Sequence, residues 1–470
     1  MGSRFAGPIR VGLLTPYFSF FEARFPADFR DTQAAYAQGL AAGLAGEGLE
    51  VTWSGLVSSV ESAGEARERF AAAEVQVVVS AATMASPPGF GSAALHGFDG
   101  PVIVWDDKRA RRADGHIDEV EATRSSTMLG SVMLANVLGR EGRPYLTVST
   151  VEGDPGPVAQ AVRGAAAAAA VRGARLGLLG GIIPGYGDVV LDPDTAAALG
   201  IELVEIDAGA VEAATAASRG PVDPGVLPAV MRATPEAAPL LERSLRAHRF
   251  LSAVTADAGV DALALNCHSP VLRFGEELGI VGCLGASLIA AGGLPIACTG
   301  DAATTVALMV ASRIAGSAQY GEGYFVEADT GELVVSSCGM ADLALKAPDD
   351  PARLCPNELY PGKHGFGVAT RFAFDAGPAT LIAFGPATKT LPARLVSAVG
   401  RLTGRGFEHL NGPSGTLTFD EAGAGFASAA WIDAGPAHHL ALVRGDRTAE
   451  LRAAARFLGV QLVEVGTGAV

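Results

Sequence analysis

The chain has 470 residues, 49% hydrophobic and 18% charged, enough apolar material for a sizeable core, which excludes disorder as its main state. At roughly 150 residues per domain this length amounts to about three domains or two large ones. Acidic residues (50) outnumber Lys plus Arg (35) for a net charge of -15, and without a clustered basic block to neutralise phosphates the chain is not expected to bind nucleic acid.

Residues 1–20 lack the basic-then-apolar pattern of a signal peptide, because Pro8, Arg10 and Pro16 interrupt it. Short apolar runs, most of them rich in valine, follow at 11–14, 51–53, 75–79 and 102–105. Such runs suit strands buried on both faces of a parallel sheet. Amphipathic stretches at 32–44 and 64–73 lie between them and read as helices. The aromatic run from Tyr17 to Phe21, with Arg24 and Arg30 nearby, suits stacking on a sugar ring or, by default, a subunit interface. A second strand–helix series begins at 145–148, and its alanine run at 165–170 reads as a closely packed helix. Further strands are expected at 175–179, 202–206, 262–265 and 294–298. Residues 278–300 carry no charge and are long enough to span a bilayer, yet they hold six glycines and Pro295. A buried helix, a turn and a buried strand explain that punctuation better than a membrane helix. No membrane partner is expected.

From about residue 319 the texture changes. Residues 326–335, 367–374, 379–384 and 427–432 read as strands between Gly and Pro turns, and only 449–458 reads as a clear helix. The expected fold class is therefore α/β: two doubly wound parallel-sheet domains (1–144 and 145–318) followed by a β-rich C-terminal domain (319–470). Five cysteines, an odd number with no Cys-x-x-Cys pair, fit free thiols in a reducing compartment. The expected location is cytoplasmic.

Open parallel sheets place ligands beyond the carboxyl ends of their strands, so the polar residues there are the candidates. The strand at 262–265 leads into Asn266-Cys267-His268-Ser269, and the strand at 294–298 into Thr299-Gly300-Asp301. Asp301 stands where a carboxylate can hold a cation or move a proton, and equally where Asp caps a helix. His268 suits a substrate hydroxyl or, more plainly, the loop backbone. Glu276 and Glu277 precede the uncharged helix, where acidic residues favour the helix dipole. His438 and His439 are adjacent, so in a strand only one imidazole would face a given site; solvated loop histidines are the plainer reading. Carboxylates with one imidazole would suit Mn²⁺, Mg²⁺ or Co²⁺ better than a structural zinc. The glycines at 180–187 form neither a dinucleotide fingerprint nor a phosphate loop, and no Gly-x-Ser-x-Gly elbow occurs.

Three stretches together resemble the L-fucose isomerase and L-arabinose isomerase family: RLGLLGGIIPGYGD at 175–188, GGLPIACTGD at 292–301 and AHHLALVRGD at 437–446. Their order over most of the chain carries the resemblance more than any one motif. It implies a symmetric homo-oligomer with active sites at subunit contacts and a small-molecule sugar as substrate. It also implies a divalent metal of the Mn²⁺ type and aldose–ketose interconversion through an enediol. Matched by position, Glu277 and Asp301 would be the catalytic carboxylates, Glu277, Asp301 and His439 (or His438) the metal ligands, and His268 a substrate contact. The chain departs from the family where Thr299 stands two residues before Asp301 in place of Glu, and where Ser337-Cys338 replaces a His. In another register Gly282, rather than Glu276 or Glu277, falls at the catalytic Glu. A lyase or epimerase of the same fold acting on a modified sugar, and a non-catalytic sugar-binding relative, are the alternatives.

Overall fold

The computed structural model describes residues 3–109, 115–267, 282–357, 367–419 and 425–466. The fold is mixed α/β, with two parallel sheets and a closed antiparallel β-barrel. The chain divides into two compact units, one of residues 8–169 with 449–457 and the other of residues 1–7, 170–448 and 458–470.

In the first unit, strands β1 (Arg10–Pro16), β2 (Glu50–Val57), β3 (Val77–Ala81), β4 (Val102–Lys108) and β5 (Tyr145–Val151) form a parallel sheet in the order β2-β1-β3-β4-β5. Every residue of β3 is buried, as a valine run with no polar alternation demands. Helices α1 (Phe29–Gly46), α2 (Val60–Ala72), α3 (Pro88–Ala94), α4 (Glu119–Arg124), α5 (Thr127–Arg140) and α6 (Gly156–Val171) connect or follow the strands. Leu14, Phe70, Val78, Val104 and Leu138 share one core cluster, which ties α2 and α5 to the sheet. The aromatic run forms a ladder of neighbouring rings from Phe18 to Phe29, with Arg24 over Phe20 and Arg30 over Tyr17.

The second unit begins with β6 (Arg175–Leu179), α7 (Pro193–Leu199), β7 (Glu202–Glu205), α8 (Ala208–Ser218), β8 (Met231–Ala233), α9 (Leu241–Ala258), β9 (Ala262–Leu265), α10 (Cys283–Ala291), β10 (Ile296–Ala297) and α11 (Ala302–Ala315). Its parallel sheet runs β10-β9-β6-β7. Residues 283–297 of the uncharged stretch are a buried helix, a turn and a buried strand, and no described helix is long and apolar enough to cross a membrane. The barrel and its accompanying elements follow: β11 (Gln319–Val326), β12 (Leu333–Ser336), β13 (Ala352–Pro356), β14 (Val368–Arg371), β15 (Gly377–Gly385), β16 (Arg394–Leu402), β17 (Ser414–Thr418), α12 (Ser428–Ala434), β18 (His439–Arg444) and β19 (Gln461–Val465), while α13 (Thr448–Leu458), between β18 and β19 in sequence, belongs to the first unit over residues 449–457. Strands β15-β18-β11-β12-β17-β16 close into a ring through a β15–β16 pairing, and β19 adds to β16 in parallel. Strands β14, β13 and β8 make a small separate sheet. Leu333, Val335, Leu381, Val396, Leu440 and Leu442 belong to the core of this unit.

Two expectations are corrected. Residues 427–432 are not a strand: α12 covers Ser428–Ala434, because its alanines favour a helix and its short apolar run fits either period. Residues 326–335 are not one strand: they hold the end of β11, the hairpin turn, where Gly331 donates its N–H to the Glu327 carbonyl, and the start of β12.

Candidate functional site

The site is built where β10 ends. Cys298, Thr299 and Gly300 turn sharply, with φ of +60° at Thr299 and +75° at Gly300. Asp301 then caps α11, its Oδ1 accepting the Thr304 N–H at 2.6 Å. The helix-cap reading is thus correct, and the carboxylate has a second oxygen to spend. Oδ2 accepts a hydrogen bond from Nδ1 of His439 at 2.7 Å.

His439 opens β18, whose antiparallel register sets it opposite Glu322 of β11. Nε2 of His439 lies 3.4 Å from Oε1 of Glu322, so the imidazole stands between two carboxylates. The side chains of Asp301 and His439 are 0% and 1% exposed, whereas that of Glu322 is 33% exposed. Water therefore reaches this group through Glu322. Burial alone would lower the His439 pKa, but the hydrogen bonds to Asp301 and Glu322 overcome it and raise the pKa to about 9. Burial would likewise raise the Glu322 pKa, and the contact with His439 instead brings it down. At neutral pH the group is an imidazolium held by two carboxylates.

His438 immediately precedes β18, and its ring lies beside that of His439 rather than facing away from it. It is half exposed, with Nδ1 2.5 Å from Oδ2 of Asp188, and the same oxygen accepts the His438 backbone N–H at 3.1 Å. Contact with His438 lowers the Asp188 pKa against the opposing effect of burial. The two imidazole rings lie 3.8 Å apart, and Tyr186 meets His438 edge-on. Reading both histidines as solvated loop residues is therefore corrected for His439: its carboxylate partners compensate its burial. Tyr320 packs its ring 4.8 Å from that of His439.

Of the residues picked from sequence, the structure brings Asp301 and His439 together. His268, Glu276 and Glu277 lie outside the described residues. Glu322 and Asp188 were not singled out, and only their meeting with the histidines reveals them. Among the described residues, which leave out the expected ligand Glu277, the arrangement does not present a ready ligand set for the expected Mn²⁺. Both nitrogens of His439 face carboxylates, and both oxygens of Asp301 already accept hydrogen bonds. Among the described residues no three His, Cys, Asp or Glu side chains converge as a cation requires.

The geometry makes stability depend on pH. His439 has an ordinary pKa of 6.5 and a folded value of about 9, so its contribution is complete below pH 6.5 and is lost as pH rises through 9. It amounts to at most about 3 kcal/mol. Glu322, with its lowered pKa, contributes with the opposite sign and loses its share as pH falls through the acid range. Urea midpoints between pH 6 and 10 should fall across this alkaline window, and a flat profile would contradict a charged His439.

No protein-family model matches the chain, and a search of curated proteins finds no match.

Proposed function

We propose that the chain interconverts an aldose and a ketose through an enediol by proton transfer. The observation that supports this most is the buried imidazolium of His439 between Asp301 and the partly exposed Glu322. In this reading Glu322 removes the proton from the carbon next to the carbonyl and returns it to the neighbouring carbon. His439 donates from Nε2 to the carbonyl oxygen as the enediol forms and takes back the proton of the neighbouring hydroxyl as the enediol collapses, while Asp301 holds the ring in place from Nδ1. The resting contact of 3.4 Å is long for a hydrogen bond, so an incoming oxygen can take the Nε2 proton from Glu322. Glu322 then loses the partner that depresses its pKa and becomes the stronger base.

A cavity of about 340 Å³ has Tyr324, Phe426, Trp431 and His438 in its wall, while Asp301, His439 and Glu322 do not line it. Its aromatic faces suit the C–H face of a sugar. The reading carries with it doubly wound parallel sheets, a homo-oligomer with sites at subunit contacts and a cytoplasmic location. A Mn²⁺-type cation is proposed only as an alternative occupant, since hard carboxylate oxygens suit it once His439 gives up its proton.

The test is a panel of aldoses in deuterated water followed by NMR, with and without added Mn²⁺. Deuterium at C2 and appearance of ketose are expected, and Glu322→Gln should slow both by about 10²- to 10⁴-fold. No exchange with any aldose under either condition would reject the reading. The second reading, a lyase or epimerase on a modified sugar, is favoured by Thr299, whose hydroxyl turns back to the Cys298 carbonyl rather than replacing a carboxylate. Loss of a substituent, or inversion without ketose formation, would identify it.

A further inference from the structure

The acid–base group makes no use of the thiols around it. Cys267 and Cys298 are buried at the carboxyl ends of the neighbouring strands β9 and β10, and their sulfurs lie 3.3 Å apart. Neighbouring strands run about 4.8 Å apart, inside the Cα separation that a disulfide spans, and the sulfurs need close only to about 2.05 Å. We propose that Cys267 and Cys298 form a reversible disulfide-forming site that takes up a two-electron oxidation. With a small diazene oxidant such as diamide, the two thiols give up two protons and two electrons. One S–S bond forms, and the N=N bond is reduced to the hydrazine. A dithiol reductant reverses the step by exchange.

The consequence follows from the chain itself. Cys298 opens the turn that ends in Asp301, with Thr299 and Gly300 already held at positive φ. Drawing the sulfur toward β9 strains that turn and with it the Asp301–His439 contact. The contact with Cys267, and burial after it, hold the Cys298 thiol well above its ordinary pKa, so the reaction is slow at neutral pH. Cys283 and Cys338 are buried thiols of the same unit and are the competing partners.

The experiment uses the full chain, titrated with excess diamide and mapped by mass spectrometry without reduction. The expected result is loss of two of the five thiols, a Cys267–Cys298 cross-link and full recovery with dithiothreitol. Cys267→Ser and Cys298→Ser should each abolish it. Five thiols surviving in the native protein, or a cross-link between any other pair, would overturn the proposal. Neither result depends on sugar turnover, so failure here and failure of the isomerase reading are separately visible.

Discussion

Asp301→Asn is expected to lose about 3–5 kcal/mol of stability, the cost of stranding one partner of a buried charge pair, and on the proposed reaction at least 10²-fold in turnover. The substitution separates the two roles of this residue. Asn ranks with Asp as a helix N-cap, so the bond to the Thr304 N–H survives and α11 keeps its start. What is lost is the negative charge 2.7 Å from Nδ1 of a histidine that is 1% exposed. Glu322 alone, partly in water, then has to hold the imidazolium, and burial draws the His439 pKa down. The alkaline fall in stability should accordingly move to lower pH in the variant. An Asp301→Asn protein with the wild-type urea midpoint and the wild-type pH profile would show that the carboxylate serves as a cap and nothing more.

The sequence disclosed this site unevenly. Valine runs such as that of β3 are legible because a strand buried on both faces has no polar alternation to confuse. Asp301 is legible for the same local reason: it stands between a buried strand and a helix of small residues, where a cap is required. Glu322 was not, because it meets His439 only through the antiparallel register of β11 and β18, and register depends on the closed barrel rather than on either segment. Asp188 meets His438 across 250 residues of chain, and no spacing rule reaches that far. Alternation predicted opposite facings for the two histidines, yet their rings lie 3.8 Å apart, and it gave no sign of which imidazole would be buried. That choice is made by Asp301, Thr304 and Tyr320, which surround His439 from α11 and β11. In the barrel, β16 went unread because Ser397 and Ala398 dilute its apolar run, while the equally short run of α12 was assigned the wrong period.

Gly300→Ala should be the most damaging single-methyl change near the site. A Cβ at Gly300 would lie 2.2 Å from the carbonyl oxygen of Gly181 and 3.1 Å from two further backbone atoms of residues 181 and 182. Backbone cannot rotate away as a side chain can, so the loop must move bodily. The φ of +75° adds its own penalty for any residue with a Cβ. Together, overpacking and strain should cost about 2–5 kcal/mol. Gly48→Ala supplies the comparison, because Gly48 has a φ of +83° but nothing within 4 Å of its Cβ position. It should show only the backbone penalty, about 1–2 kcal/mol. The difference between the two urea midpoints isolates the close approach of the Gly181 loop to the Asp301 turn. That approach matters beyond stability, since the same loop continues to Asp188 and the same turn ends in Asp301. Pushing them apart should loosen His438 from Asp188, visible as a change in the ring resonances of His438. Equal losses in the two alanine variants would mean that the loop yields freely and does not fix Asp188 against the histidines.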